Sequence, residues 1–291
     1  MVGLEACAAA HHWARELTRL GHTVRLMPPQ YVRPYVKTNK HDAADAEACC
    51  EAVRRPGMRF VPVKSEGQQA LLMLHRLREQ LLKQRTATIN ALRAHLAEFG
   101  IVAAQRRTGL RELLAVVADQ EDRRLPPLAR ELLRALAEHL RGLEERAAEL
   151  DRRLVAMARD GGACERLAAV PGIGPVIATG LVATIGDAKS FTSGRHLAAW
   201  LGLVPRQHSS GGKERLLGPS KRGDAYLRRQ LMHGARALVA VAKGREGGSW
   251  SWIGGLLARR PYDVAVAAVA NKLARIAWAL LSRGEDYRAA A

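Results

Sequence analysis

The sequence contains few aromatic residues and few cysteines. Phenylalanine, tryptophan and tyrosine make up 4% of its 291 residues, and alanine, leucine and valine supply most of the apolar content. Sheet-rich folds draw on aromatic and β-branched side chains, so this balance favours a largely helical protein. The four cysteines have no C-x-x-C spacing, which argues against a zinc ribbon or a disulfide framework and fits a reducing cytoplasm.

A secretory leader and an uninterrupted membrane span are also missing. The first residues, MVGLEACAAAHHWARE, have neither a basic segment nor an apolar run. Residues 167–186 are uncharged and about long enough to cross a bilayer, but two prolines and four glycines interrupt them. The sequence therefore predicts a cytoplasmic protein that does not enter a membrane.

Acidic residues are scarce relative to basic ones. The chain has 46 Lys and Arg against 28 Asp and Glu, which gives a formal net charge of +18 at pH 7. Clustered cations displace counterions from a polyanion and bind it in a salt-dependent way. Nucleic acid is therefore the leading class of partner, and an anionic membrane surface comes second.

Changes in the hydrophobic pattern divide the chain into three predicted domains, at residues 1–64, 65–160 and 161–291. The first domain alternates strands and helices, which is an α/β pattern. Its strands are predicted at 2–6, 23–27 and 59–63, and its helices at 11–20 and 42–53. Asp42 stands where it would cap the second of these helices.

The second domain is predicted to consist of two long helices. Residues 68–99 contain no proline or glycine and place apolar side chains, Leu77 and Phe99 among them, on one helical face. Residues 128–159 keep the alternating four-three spacing of a heptad seam. The seam fits an antiparallel hairpin within one chain and a contact with a second copy about equally well, so a homo-oligomer formed through the hairpin is one of two expectations.

The third domain is predicted to be all-α, with a helix-hairpin-helix at 167–181. The turn from Gly172 to Gly174 would let backbone N–H groups bind phosphate without reading a base, and a plain turn between core helices is the alternative. A basic segment follows at 205–229. Its cations are expected to bind nucleic-acid phosphates: Arg206, Lys213, Arg215, Lys221, Arg222 and Arg228.

Hydroxyl groups within the basic segment are candidate nucleophiles. Ser209, Ser210 and Ser220 could each approach a phosphate whose developing charge the neighbouring cations offset. Serine and glycine are also ordinary residues of a surface loop. Without further observations, a binding loop is the better interpretation of this segment.

Three carboxylates in the first domain form a second candidate site. Glu5 ends the first predicted strand, and Asp42 and Asp45 are three residues apart on one helix face. Carboxylate oxygens are the ligands that Mg²⁺ prefers, and such ions bridge phosphate oxygens. A helix cap at Asp42 and a solvated charge at Asp45 are the alternatives, and spacing alone favours them.

A resemblance decides between these interpretations. Five segments of the chain carry it, in this order: GLEACAAAHHWARELTRLGH, KTNKHDAADAEA, PGIGPVIATGL, FTSGRHLAAWLGLVPRQHSSGGKERL and SKRGDAYLRR. Together they resemble the DEDD insertion-sequence transposases related to the Piv invertase, also described as bridge-RNA-guided recombinases. The resemblance covers nearly the whole chain. It implies an α/β domain of the RuvC or RNase H type, a coiled-coil hairpin and a C-terminal transposase domain that carries a serine nucleophile.

Carried over residue by residue, the resemblance implies specific roles. Glu5, Asp42 and Asp45 match three of the four acidic residues, which would hold Mg²⁺, and Ser210 matches the nucleophile, with Ser209 as its competitor. DNA is the implied substrate, and a guide RNA is an implied partner that selects the target by base pairing.

One departure from the family pattern concerns the N-terminus. The first aspartate of the family lies on a strand of the form GIDVAK upstream of the glutamate, and no such strand precedes Glu5. An incomplete, N-terminally truncated RuvC-like domain is therefore expected, with weak metal binding and little strand cleavage. The rival functions are a non-catalytic DNA-binding remnant and a RuvC-like junction nuclease in which water is the nucleophile.

Overall fold

The N-terminal part of the protein, in a computed structural model, is a small α/β unit. The structure describes residues 1–37, 41–242, 245 and 247–288. Strands β1 (Val2–Glu5) and β2 (Val24–Met27) lie parallel, and helix α1 (Ala10–Arg19) connects them. The short helix α2 (Pro29–Val32) and helix α3 (Asp42–Ala52) follow.

Two details of the prediction for this unit were wrong. Residues 59–63 do not form a strand, because Val61 makes a single antiparallel bridge to Leu26 and the next residue, Pro62, has no N–H with which to extend a ladder. Asp42 does not cap α3. The cap is His41, whose Nδ1 accepts the N–H of Ala44 at 3.2 Å, and Asp42 lies in the first helical turn.

A helical stem forms the middle of the chain. It consists of α4 (Glu66–Ala97), α5 (Arg107–Ala118) and α6 (Pro127–Arg159). Helices α4 and α6 run antiparallel, so that Arg78 in the first half of α4 pairs with Asp151 in the second half of α6 at 2.5 Å. Helix α5, which was not predicted from the sequence, packs its apolar side against both of them.

The heptad seam of α6 faces α4 of the same chain. Leu143, Ala147 and Leu150 are buried around Leu81 of α4. The within-chain alternative therefore accounts for the seam. The predicted apolar face of α4 is buried only in part, since Leu77 is 45% exposed.

The C-terminal part is helical apart from one pair of strands. Its helices are α7 (Gly162–Ala168), α8 (Pro175–Ile185), α9 (Gly194–Trp200), α10 (Ala225–Val241), α11 (Gly248–Arg259) and α12 (Tyr262–Arg283). Strands β3 (Pro205–Gln207) and β4 (Leu216–Pro219) form an antiparallel pair, so the prediction of an all-α domain was wrong here. Both strands are largely exposed, and so they lack the alternation of apolar and polar residues by which a half-buried strand is recognised.

Helix α12 lies at the centre of this part. By length and composition it could cross a membrane, and it is the one such helix in the described part of the chain. Its apolar residues, including Val266, Ala270 and Leu273, are buried in the core that the C-terminal helices share. The helix thus packs as the core helix of a globular domain does.

A buried polar network joins the stem to the C-terminal helices. His75 of α4 is 2% exposed and contacts Tyr226 Oη at 2.8 Å and Thr179 Oγ1 at 3.1 Å. Thr179 donates its proton to the Pro175 carbonyl at 2.7 Å. Because the Thr179 hydroxyl proton is used in this way, its oxygen accepts a hydrogen bond from His75 Nε2–H. His75 Nδ1 then accepts the proton of the Tyr226 hydroxyl.

This network predicts that acid destabilises the protein. Burial, with a smaller effect of Arg78, lowers the pKa of His75 from 6.5 to about 4. As the pH falls through this window the unfolded chain binds a proton that the folded chain does not, so stability is lost. We expect His75 to contribute a loss of about 2 kcal/mol in the free energy of unfolding between pH 7.5 and pH 5, measured by urea titration.

The substitution His75→Gln should make that pH dependence shallower. The matched control is His22→Gln, at an exposed histidine, which should leave the pH dependence as it is in the parent chain. Identical pH profiles for His75→Gln and the parent would contradict the assignment.

Candidate catalytic site and nucleic-acid interface

Ser210 lies at the tip of the β3–β4 hairpin. The Lys213 N–H donates to the Ser210 carbonyl at 3.1 Å, and Gly211 and Gly212 between them have φ of 57° and 76°. Two positive φ values at the centre of a two-residue turn are what a type I′ hairpin requires, and glycine adopts them without strain. The SSGGK sequence thus forms the turn that presents the serine.

The hairpin projects from the rest of the protein. All its residues from 205 to 219 are exposed except Leu217, and no other helix or strand within the described ranges packs closely against it. Three of the predicted phosphate-binding cations, Arg206, Lys213 and Arg215, belong to it. The hairpin therefore presents an exposed serine and three cations to an external ligand.

The two neighbouring serines differ in their hydrogen bonds. Ser209 Oγ accepts the N–H of Arg215 on the opposite strand at 3.3 Å. No hydrogen bond to Ser210 Oγ occurs within the described residues. Ser209 thus stabilises the hairpin, whereas the hydroxyl of Ser210 is available to a ligand.

The root of the hairpin is fixed by close backbone contacts. Residues 220–224 cross over residues 200–203, and the Lys221 N–H donates to the Gly202 carbonyl at 3.3 Å. A Cβ at Gly223 would lie 1.8 Å from the Trp200 carbonyl oxygen, so only glycine fits there. Lys221 itself has a φ of 55°, which is uncommon for a residue with a side chain and indicates a tightly held loop.

The cations predicted at this root fall into two groups. Lys221 and Arg222 are exposed and can meet phosphate. Arg228 is partly buried, and its Nη1 donates to the Leu201 carbonyl at 3.1 Å and to the Arg222 carbonyl at 3.0 Å. The guanidinium of Arg228 therefore holds the two crossing segments together within the chain.

The two glycines of the predicted helix-hairpin-helix turn have different environments. Gly172 has a φ of 85° and packs against α10, where a Cβ would lie 2.6 Å from Leu238 Cδ1. Gly174 begins α8, is exposed, and has nothing within 4 Å of the position of its Cβ. Gly172 thus serves the packing of α8 and α10, and Gly174 is the glycine that an external phosphate could approach.

Two of the three predicted carboxylates, Glu5 and Asp45, lie near the thiol of Cys49. Burial raises the pKa of the Cys49 thiol, and the charges of Glu5 and Asp45 raise it further. Asp45 and Cys49 are one turn apart on α3, and the end of β1 brings Glu5 to the same thiol. Asp42, one turn earlier, is exposed. Sequence reasoning did not single out Cys49, although its spacing from Asp45 is that of neighbours on a helix face.

The donor chemistry of these residues suits a hard cation, but the set is incomplete. Within the described ranges, no three His, Cys, Asp or Glu side chains are grouped so that they could hold a metal ion. Glu5 and Asp45 alone would supply fewer oxygens than Mg²⁺ takes, so phosphate oxygens or water would have to complete the shell.

Comparison with known proteins identifies related chains. Residues 164–247 match the model of the transposase IS116/IS110/IS902 family, and residues 2–101 match a transposase model for the DEDD domain of IS110 elements. A Pseudomonas aeruginosa protein named "Probable family 20 transposase" is 53% identical over 99% of this chain and 86% of its own length.

Two named insertion-sequence transposases are similar over almost the entire chain. That of IS1328 from Yersinia enterocolitica is 43% identical over 99% of this chain and 85% of its own length. That of IS1111A from Coxiella burnetii is 42% identical over 100% of this chain and 80% of its own length. With both family models matched and identity this high along its length, the chain belongs to the IS116/IS110/IS902 family of insertion-sequence transposases.

Proposed function

We propose that this transposase exchanges DNA strands through a covalent phosphoserine intermediate at Ser210. The observation that carries the proposal is the position of this serine, at the exposed tip of a basic hairpin whose root is fixed by backbone packing. Such a hairpin can reach into a DNA groove while its anchor keeps the hydroxyl in a defined place.

The proposed strand exchange needs only the serine and the DNA strands as reactants. Ser210 Oγ forms a bond to phosphorus, the bond from phosphorus to one sugar oxygen breaks, and that oxygen takes the proton that Oγ loses. Attack by the sugar hydroxyl of a second strand reverses the step and releases the serine. Arg206, Lys213 and Arg215 of the hairpin, with Lys221 and Arg222 at its root, offset the charge that develops on the phosphate.

Glu5, Asp42 and Asp45 are proposed to bind Mg²⁺ together with the DNA. The bound ion would neutralise phosphate charge at the scissile bond. The residues of the chain position these carboxylates: β1 fixes Glu5, and the first turn of α3 carries both aspartates. The backbone N–H of Gly174 would add a phosphate contact that is independent of base sequence.

A guide RNA and a second copy of the chain are proposed partners. The resemblance to bridge-RNA-guided recombinases supports the RNA, which would select the DNA target by base pairing. A homo-oligomer would have to use stem residues other than the buried seam, such as the exposed Met73 and Leu77 of α4. The four cysteines are free thiols, which supports action in a reducing cytoplasm.

A non-catalytic DNA-binding protein is the second candidate function. The incomplete set of metal ligands in the described part of the chain favours it. Such a protein would bind element ends through the same hairpin and cut none of them.

Cleavage of a cognate element end by the purified protein, with the adjacent guide RNA, tests the proposal. We expect only weak cleavage in Mg²⁺, because the set of carboxylate ligands in the described part of the chain is incomplete, and none in EDTA. Asp45→Asn should lower the weak cleavage further, because the Asp45 carboxylate would be a metal ligand. The matched control is Glu47→Gln on the same helix, where the side chain forms a surface ion pair with Lys37. DNA binding without cleavage in any divalent cation would support the second candidate instead.

A further inference from the structure

An open basic groove lies on the C-terminal part, separate from the residues proposed for catalysis. It has a volume of about 800 Å³ and runs between α9, α11 and α12. The residues that shape it are Ser193, Arg195, Trp252, Lys272, Arg275 and Trp278. None of these residues was predicted from the sequence to be a site residue.

Close helix packing builds the groove. A Cβ at Gly194 would lie 3.0 Å from Arg275 Cα, so the missing side chain lets the start of α9 lie directly on α12. This contact brings Arg195 and Arg275 to one groove. Trp278 is fixed from below, because its Nε1 donates to the carbonyls of Ala188 and Phe191 at 3.1 Å each.

The groove concentrates positive charge beside aromatic surface. The Nζ of Lys272 lies 4.1 Å from the centroid of the Trp252 ring, which holds the ammonium group at the groove wall. No carboxylate lines the groove, and within the described part of the chain Arg195, Lys272 and Arg275 form no ion pair. Three unneutralised cations repel one another, and an anionic ligand would relieve that repulsion.

We propose that this groove binds an unpaired stretch of a nucleic-acid strand. The three cations would contact successive phosphates, with Lys272 leaving the face of the Trp252 ring, and the indoles of Trp252 and Trp278 would pack against bases or sugars. A groove of this volume holds one or two nucleotides, whereas a duplex is convex and keeps its bases stacked inside. The apolar part of the lining also favours a ligand with a base or sugar over a free phosphate ion, which has no apolar surface to pack there.

The same helix connects the groove to the hairpin. Asn271, next to Lys272 on α12, donates to the Leu203 carbonyl at 3.1 Å, just before β3 begins. An unpaired strand in the groove would therefore lie on the helix that holds the root of the hairpin. The proposal does not depend on the chemistry assigned to Ser210.

Fluorescence anisotropy with labelled single strands tests the groove. The probes are a 12-mer of thymidine, a 12-mer of uridine and a blunt duplex of the same length. In the triple variant Arg195→Gln, Lys272→Gln, Arg275→Gln, we expect the slope of log affinity against log salt for single strands to decrease by about 2, since each phosphate contact contributes about 0.7. Binding of either single strand through the groove supports the proposal, and the tighter of the two identifies DNA or RNA as the source.

A control with equal loss of charge is available on the stem. The triple variant Arg111→Gln, Arg141→Gln, Arg146→Gln removes three exposed cations outside the groove and should change the single-strand slope little. Trp252→Leu should weaken single-strand binding about tenfold, and Trp252→Phe should retain most of it, because the ring face is what packs on a base.

Equal effects of the two triple variants on single strands would overturn the proposal, as would a groove variant that weakens duplex binding as much as single-strand binding. Thermal unfolding of the Trp252→Phe and groove variants separates loss of binding from loss of fold. The groove is tested by single-strand binding and the role of Ser210 by adduct formation, so failure of one proposal is distinguishable from failure of the other.

Discussion

Ser210→Ala is expected to abolish the covalent complex between the protein and its DNA, while Ser209→Ala retains it. The nucleophile forms the bond to phosphorus, so its removal should reduce adduct formation about 10³-fold or more. Ser209 is engaged with the opposite strand through the Arg215 N–H, and its loss should cost only part of the hairpin stability. The measurement is a labelled element end incubated with protein and guide RNA, then denatured and resolved by gel electrophoresis.

The pair of serine variants also separates the rival mechanisms. An adduct that persists in Ser210→Ala and disappears in Ser209→Ala would transfer the role to the neighbouring serine. Cleavage without any adduct in the parent chain would indicate the junction nuclease, in which water attacks the phosphate.

Gly223→Ala is expected to cause a loss of stability of about 3 kcal/mol or more. Its new methyl group would meet the Trp200 carbonyl at 1.8 Å, and a φ of 78° is unfavourable for alanine. The carbonyl belongs to the backbone at the end of α9 and cannot move aside as a flexible side chain could. Urea unfolding measures the change in the free energy of unfolding.

Gly218→Ala is the matched control for this substitution. Gly218 lies in β4, is exposed, and has nothing within 4 Å of the position of its Cβ. Its replacement should leave stability within about 0.5 kcal/mol of the parent. A Gly223→Ala protein as stable as the Gly218→Ala protein would show that the crossing of residues 200–203 and 220–224 is loose.

Elements with a strong periodic signal could be predicted from the sequence. The first two strands, α1 and the two long stem helices lie close to where apolar spacing predicts them. The β3–β4 hairpin could not be predicted, because its strands are exposed on both faces and lack a hydrophobic alternation. The cap of α3 was assigned to the wrong one of two adjacent polar residues, since capping depends on the backbone conformation of His41 and not on spacing.

Features that depend on tertiary contacts were beyond sequence reasoning. Arg195 and Arg275 are distant in sequence, and only the packing of α9 on α12 brings them to one groove. Arg228 counts as a phosphate-binding cation by composition, yet its guanidinium binds two carbonyls of its own chain. The sequence likewise did not decide whether the α6 seam packs against a helix of the same chain or of a second copy. The contacts with α4 show that it packs within the chain.

The exposed turn at Ser210 bears on whether the protein can cut host DNA before it assembles on its substrate. Within the described residues no side chain hydrogen-bonds to the Ser210 hydroxyl, so no base is held in position there to remove its proton. A serine in such a setting is chemically as inert as one in an ordinary surface loop. On the proposal that Ser210 is the nucleophile, the groups that activate it would come with the assembled DNA complex, and the unassembled protein would bind chromosomal DNA without cutting it.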